Sequence, residues 1–130
     1  MRVLLADDQV KVRFALRVLL ERQPDVAVVG EASNARELVD QIAATHPDAL
    51  LLDWELPGLP ATRAIAALLK SFPELTVIAL SGRSEARREA EMAGASAFVS
   101  KTDPPECLLA VMGSTRQASC GRKPGCTASG

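Results

Sequence analysis

Short aliphatic runs that end in polar residues constrain the fold of this chain most strongly. Four runs lead directly into an acid, a hydroxyl or an amine: residues 2–6 before Asp7 and Asp8, residues 49–52 before Asp53, residues 76–80 before Ser81, and residues 97–100 before Lys101. Such runs are typical of strands buried on both faces of a parallel sheet. Because parallel strands all point one way, the residues that follow them are predicted to meet at the carboxyl edge, where open α/β sheets bind ligands.

Helical patterns alternate with these strands. The segment after the first strand places Leu16 and Leu20 on one apolar face, a further strand is expected at residues 26–30, and Asn34 is placed to cap the next helix. The alternation predicts the α/β class, with a flavodoxin-like doubly wound five-stranded parallel sheet of strand order 2-1-3-4-5 and helices on both faces. The polar helix expected over residues 85–92 has few apolar residues, so it should pack loosely and move most easily.

The length of 130 residues is enough for one domain. We expect this domain to span residues 1–113, and residues 114–130 to form a flexible tail or linker remnant without an output domain, because polar and small residues replace apolar ones there. The three cysteines, Cys107, Cys120 and Cys126, are an odd set without a close pair, which argues against a zinc site or a disulfide framework.

Composition excludes several classes of function. The net charge of -1 offers no broad attraction to nucleic acid or to anionic membranes, so we expect this chain to bind neither. No apolar run approaches the ~18 residues of a membrane span, and the N-terminus leads into a strand without a signal-peptide pattern. A cytoplasmic protein is therefore expected.

The acids at the sheet edge predict a metal site. In a sheet of this order the first and third strands are neighbours, so Asp7, Asp8 and Asp53 should lie together. Three carboxylates packed together repel one another unless a cation lies among them. Mg²⁺ is the predicted cofactor because it takes oxygen ligands and binds through one or two carboxylates together with a phosphate oxygen.

A carboxylate beside Mg²⁺ can act as a nucleophile toward a phosphoryl group. Asp53 stands alone at its strand end and is the predicted phosphoacceptor. Lys101 and Ser81 would then stabilise charge on the phosphoryl oxygens, one as an ammonium and one as a hydroxyl donor. The alternatives are a solvent-exposed lysine and an ordinary turn serine.

Over residues 2–112 the chain resembles the receiver domain of bacterial two-component response regulators. Four motifs carry the resemblance: Leu5-Ala-Asp7-Asp8, Asp53-Trp-Glu-Leu-Pro57-Gly58, Leu80-Ser81-Gly82 and Gly94-Ala95-Ser-Ala-Phe98-Val-Ser-Lys101. Residues 12–21 and 28–32 are similar to the branch whose members usually carry a helix-turn-helix output domain. The loop after Pro57-Gly58 departs from the family pattern at Pro60-Ala61.

The resemblance implies a function and a set of roles. A sensor histidine kinase would phosphorylate Asp53, with Mg²⁺ held by Asp8, Asp53 and the backbone carbonyl of Glu55, and by Asp7 through water. Phosphorylation would draw the Ser81 hydroxyl toward the phosphoryl group. The Phe98 ring would then turn inward and reshape the face made by the fourth helix, the fifth strand and the fifth helix.

That face would control an output domain or partner, in transcription regulation, and is the family's expected site of homodimerisation after phosphorylation. Glu55 and Arg83 lie at positions that tune phosphoryl loss in the family. They could pair across the mouth of the site, or they could be a solvated pair of little energetic worth. Judged without the resemblance, a phenylalanine at position 98 is more often an ordinary core residue than a switch.

Two other function classes compete with this interpretation. A metal-dependent phosphatase or phosphotransferase would need a second acid near the nucleophile, for which the motif offers Glu55 alone, and a cap region that the chain lacks room for. A receiver-like module that signals by binding alone would not need the intact acidic cluster. We therefore expect a chain that catalyses only its own phosphorylation and dephosphorylation.

Overall fold

A computed structural model describes residues 1–58 and 61–116 of the chain. The strands, numbered in chain order, are β1 (Arg2–Ala6), β2 (Ala27–Ala32), β3 (Ala49–Asp53), β4 (Thr76–Ser81) and β5 (Ala97–Ser100). The helices are α1 (Val10–Glu21), α2 (Ala35–Thr45), α3 (Ala61–Ser71), α4 (Ala86–Ala93) and α5 (Pro105–Arg116). Strands and helices therefore alternate along the described chain, as the sequence predicts.

The five strands form one sheet with the order β2-β1-β3-β4-β5, and every neighbouring pair is parallel. This confirms the predicted flavodoxin-like sheet. In the register, Ala6 lies opposite both Ala32 and Leu52, and Asp53 lies opposite Leu80. The carboxyl ends of the central strands are therefore aligned, which brings the residues that follow them to one edge.

Two apolar layers cover the sheet, one on each face. Alternate residues of a strand point to opposite faces, so Leu4 and Leu50 pack in one layer while Leu5 and Leu51 pack in the other. Helices α2, α3 and α4 contribute to the first layer, and α1 and α5 contribute to the second. Central strands buried on both faces explain why their sequences are continuously aliphatic.

Helices α2 and α4 differ in their N-terminal caps and in the residues that they bury. Asn34 directly precedes α2 and its side chain accepts a hydrogen bond from the backbone of Glu37, while the helix buries Leu38 and Ile42. This confirms Asn34 as the predicted N-cap. The α4 helix has no side-chain cap and buries two alanines, Ala86 and Ala90. Because two alanines bury little apolar area, α4 gains less from packing than α2.

Several boundaries differ from the sequence predictions. β2 covers Ala27–Ala32 instead of residues 26–30, because the pairing of β1 with β2 shifts between Val3 and Leu4 and carries the ladder further along. α5 continues to Arg116, three residues beyond the predicted domain end at residue 113. Each residue added to an existing helix gains one backbone hydrogen bond, which offsets the poor helix propensity of that segment.

Other sequence predictions have mixed outcomes. Pro60, the expected tail over residues 117–130 and two of the cysteines lie outside the described residues. Cys107 is disulfide-bonded, contrary to the expectation from cysteine spacing, because an odd set of three still allows one pair. None of the helices within residues 1–58 and 61–116 is long and apolar enough to cross a membrane.

Candidate functional site

The three predicted acids meet at the carboxyl edge of the sheet. Asp7 and Asp8 follow β1 directly and Asp53 ends β3, and one carboxylate oxygen of each lies within 4.8 Å of the others. Asp7 and Asp53 are almost fully buried, whereas Asp8 is exposed. Two acids of the cluster are therefore buried, and the third is in contact with solvent.

Lys101 brings a positive charge to this cluster from the end of β5. Its ammonium Nζ lies 2.9 Å from Asp7 Oδ2 and 3.4 Å from Asp53 Oδ1, and it donates a hydrogen bond to Gln9 Oε1 at 3.3 Å. The Lys101 ammonium and the buried Asp7 carboxylate form an ion pair. One ammonium is thus shared between two buried carboxylates.

The pKa values of Asp53 and Lys101 are both raised. Burial is the main cause at Asp53 and the charge of Asp7 adds to it; the Glu55 backbone amide and Lys101 act in the opposite direction, and the net pKa is about 6. Burial alone would lower the pKa of Lys101, but its contacts with Asp7 and Asp53 outweigh that effect and raise it. Negative charge is therefore in excess at the site, and Lys101 is firmly cationic.

The donor set fits a hard divalent cation. The three carboxylates offer oxygens that lie within 4.8 Å of one another, and oxygen is the ligand that Mg²⁺ prefers. Two of the acids are buried with one ammonium between them, so a bound cation would relieve the remaining repulsion. Asp8, Asp53 and the neighbouring Glu55 backbone are the groups that could hold such an ion.

Ser81 and Arg83 line the other side of the site. The buried Ser81 hydroxyl donates to the Glu55 carboxylate, at 3.1 Å from Oε1 and 3.0 Å from Oε2, and it accepts a hydrogen bond from the Arg83 backbone amide at 3.0 Å. The Arg83 guanidinium in turn donates to Glu55 Oε2 at 3.1 Å. The structure shows Glu55 and Arg83 paired at the mouth of the site with half-exposed side chains, which fits both alternatives, so a role of this pair in phosphoryl loss stays a prediction.

Two contacts of α4 were not predicted from the sequence. The buried Trp54 indole donates from Nε1 to Glu89 Oε1 at 2.6 Å, and the Arg87 guanidinium lies 5.2 Å from the centre of the Phe98 ring. A buried indole N–H usually finds an acceptor, so an acid on a neighbouring helix was the signal that could have indicated this contact.

Phe98 lies in the core and is 1% exposed. The ring occupies a buried position in this structure, and its inward turn on phosphorylation stays a prediction. The Arg87 guanidinium covers the ring from α4.

A second, distinct group of charges lies beside the acid cluster. Glu31, near the end of β2, is paired with Arg13 at 2.7 Å and with Arg17, both on α1. Arg13 also donates to the backbone carbonyl of Asp7 at 2.6 Å. This network connects α1 to the sheet edge, and sequence reasoning did not identify it.

Comparison with known proteins identifies the family. The model of the response regulator receiver domain matches residues 3–112. The chain belongs to this family. A transcriptional regulatory protein of Bacillus subtilis, YhcZ, is 35% identical over 84% of this chain and 52% of its own length. The nitrate/nitrite response regulator NarL of Escherichia coli is 32% identical over 92% of this chain and 55% of its own length.

Solved structures agree with the fold. A LuxR-family two-component response regulator from Aurantimonas has a TM-score of 0.84 at 29% identity, covering 98% of this chain and 90% of that one. RcsB from Salmonella enterica, bound to promoter rprA with the phosphomimetic BeF3-, has a TM-score of 0.78 at 26% identity, covering 84% of this chain and 64% of that one. The chain is thus a receiver domain of phosphorylation-dependent two-component signalling, and the proteins similar to it include a LuxR-family regulator.

The chain spans about half the length of the first curated relatives it matches. Some relatives carry a different activity: a protein-glutamate methylesterase/protein-glutamine glutaminase of Methanosarcina acetivorans is 30% identical over 79% of this chain but only 30% of its own length. The match therefore concerns the receiver part of these proteins, and a receiver domain fits a regulator without an external substrate.

Proposed function

We propose that Asp53 of this receiver domain accepts a phosphoryl group from a sensor histidine kinase, with Mg²⁺ held at the acid cluster. Asp8, Asp53 and the Glu55 backbone carbonyl would be direct ligands, and Asp7 would act through water. The convergence of the three carboxylates with the Lys101 ammonium carries this proposal. When bound, Mg²⁺ supplies positive charge against the phosphoryl oxygens.

Asp53 is suited to be the nucleophile. Its pKa of about 6 leaves the carboxylate largely ionised at pH 7, although burial makes that charge costly. In the transfer, an Asp53 oxygen forms a bond to phosphorus while the bond from phosphorus to the donor imidazole nitrogen breaks. The imidazole leaves with the electron pair and takes up a proton.

Lys101 and Ser81 complete the proposed site. The Lys101 ammonium is already drawn to Asp53 and would neutralise an oxygen of the new phosphoryl group. The Ser81 hydroxyl would donate to another oxygen, once it leaves its present acceptor, Glu55. No external substrate is needed, so the chain would catalyse its own phosphorylation and dephosphorylation alone.

The proposed readout is a change in the face formed by α4, β5 and α5. This face would control an output domain or partner in transcription regulation and would support homodimers after phosphorylation, with Phe98 beneath it. A histidine kinase partner of this kind would place the chain in the cytoplasm. The described residues would bind neither nucleic acid nor membrane themselves.

Phosphorylation of the purified chain tests the proposal. With Mg²⁺ and acetyl phosphate, mass spectrometry should detect one acid-stable, base-labile phosphoryl group, and chelation of Mg²⁺ should prevent it. Asp53→Asn should abolish the adduct. Asp40→Asn, a matched change at an exposed position of α2, should leave it unchanged.

Three outcomes would contradict the proposal. An adduct that persists in Asp53→Asn would mean a different acceptor. An adduct absent from the wild-type chain would favour a module that signals by binding alone. Steady hydrolysis of unrelated phosphate esters would favour a metal-dependent phosphatase or phosphotransferase.

A further inference from the structure

The proton of the Ser81 hydroxyl is already engaged. A serine hydroxyl carries one hydrogen, so it can donate one directed hydrogen bond at a time. In this structure the acceptor is the Glu55 carboxylate, 3.0 and 3.1 Å away, while the Arg83 backbone amide occupies a lone pair of the same oxygen. The hydroxyl therefore cannot also donate to a phosphoryl group on Asp53 without releasing Glu55.

Glu55 is held in this position from two sides. Its backbone amide donates to Asp53 Oδ1 at 3.0 Å, which fixes the chain beside the phosphoacceptor. Its carboxylate pairs with the Arg83 guanidinium at 3.1 Å, and Arg83 is also 3.8 Å from Glu85. The side chains of Glu55 and Arg83 are 44% and 49% exposed, so solvent weakens this pair and the arrangement can open.

We propose that Glu55 is a positioning residue that holds the Ser81 hydroxyl away from the phosphoryl group, and that Arg83 keeps Glu55 in place. The inference rests on the proposed phosphorylation of Asp53 and adds a competition to it: Glu55 and the phosphoryl group compete for one proton. Release of Ser81 from Glu55 is therefore a rearrangement that phosphorylation would require at this edge.

A double-mutant cycle with beryllofluoride and Mg²⁺ tests the competition, because beryllofluoride stands in for the phosphoryl group and needs no chemistry. Its affinity can be followed by the fluorescence of Trp54, the single tryptophan of the chain, which directly follows Asp53. Glu55→Ala keeps the backbone amide and carbonyl but removes the acceptor. In the wild-type background we expect the affinity to rise about threefold to tenfold, the range for loss of one ordinary competing hydrogen bond, because solvent weakens a bond to the half-exposed Glu55 carboxylate.

The Ser81→Ala background gives the decisive comparison. If Glu55 acts through Ser81, Glu55→Ala should leave the affinity unchanged once the hydroxyl is gone. Glu85→Ala is the matched control, because it removes a neighbouring acid and another partner of Arg83 without a contact to Ser81. It should change the affinity less than twofold in either background.

The possible results separate the two proposals. An equal gain from Glu55→Ala with and without Ser81 would overturn the inference, since the carboxylate would then act by charge repulsion. No gain in the wild-type background would also overturn it, while leaving phosphorylation of Asp53 intact. A wild-type chain that neither binds beryllofluoride with Mg²⁺ nor forms the acetyl phosphate adduct would overturn both proposals.

Discussion

Glu31 and Asp53 are carboxylates near the same edge of the sheet, on β2 and β3 with β1 between them. Burial alone would raise the pKa of Glu31, but two arginines of α1 outweigh it and hold that pKa below its ordinary value. At Asp53 burial dominates, and the pKa rises to about 6. Two acids near one edge of the sheet therefore have pKa values that are shifted in opposite directions.

The supply of positive charge explains this difference. Arg13 and Arg17 lie one helical turn apart on α1 and both contact Glu31. Asp53 shares the Lys101 ammonium with Asp7. A carboxylate with two guanidinium partners stabilises the fold, and because its charge is already balanced it is a poor ligand for a cation and a poor nucleophile. A carboxylate that shares one ammonium keeps unbalanced charge, which is useful for binding a cation and attacking phosphorus.

The largest expected effect is stabilisation by Mg²⁺. A ligand that binds the native state alone raises the free energy of unfolding by about 2.7 kcal/mol at one hundred times its dissociation constant. We expect this gain in the wild-type chain and in Glu31→Gln, and a much smaller one in Asp53→Asn. Urea denaturation with and without Mg²⁺ measures it. Equal stabilisation of all three proteins would place the cation elsewhere.

Asp53→Asn should stabilise the metal-free chain at pH 7, on the order of 1 to 2 kcal/mol, because it removes a buried charge. The folded-state pKa of Asp53 is raised, so its favourable contribution is present below the unfolded pKa and is lost as pH rises toward 6 and above. The gain from Asp53→Asn should therefore vanish below about pH 4. Urea midpoints measured between pH 4 and pH 8 give the profile.

If Asp53→Asn destabilised the chain at pH 7, the contrast between Asp53 and Glu31 would not hold. It would mean that the contact of Asp53 with Lys101 contributes more to the fold than the burial of the charge costs. Asp40→Asn controls for the loss of one negative charge at an exposed position. It should leave the urea midpoint almost unchanged at every pH.

Glu31→Gln should have the opposite sign, with a loss of about 1 kcal/mol at pH 7, as expected for a partly buried acid with two arginine partners. Its folded-state pKa is lowered, so the stability it supplies is present above the unfolded pKa and is lost as pH falls through the folded value. The difference between variant and wild type should therefore shrink in acid. A loss that grows toward low pH would contradict the pairing.

The contrast also marks what the sequence can predict. The ends of the aliphatic runs located Asp53 and the other acids, since parallel strands align their carboxyl ends whatever the helices do. The Asn34 cap followed from local chemistry alone. Both depend on short segments whose geometry is nearly fixed.

Contacts that depend on how a helix lies over the sheet were not predicted. Whether Glu31 meets Arg13, or Trp54 meets Glu89, depends on the position and rotation of α1 and α4, which hydrophobic periodicity does not define closely enough. The same holds for Glu55, whose long side chain could equally have pointed into solvent. The direction in which a side chain points at the mouth of the site therefore does not follow from the sequence pattern.

The smallest expected effect concerns Glu21, the other acid that contacts Arg17. It lies four residues after Arg17 on α1, at 3.2 Å, and both side chains are more than a third exposed. Exposed pairs of this spacing contribute about 0.3 to 0.5 kcal/mol, and an arginine placed before the acid is the weaker orientation. Glu21→Gln should therefore cost at most about 0.5 kcal/mol, less than Glu31→Gln.

Salt separates the two acids further. The pair of Arg17 with Glu21 should be screened almost completely at high ionic strength, whereas Glu31, with a 28% exposed side chain, should keep part of its contribution. Urea denaturation in low and high salt checks this. If Glu21→Gln were the more damaging change, α1 would be held by its own surface pair, and the two arginines would not explain why Glu31 differs from Asp53.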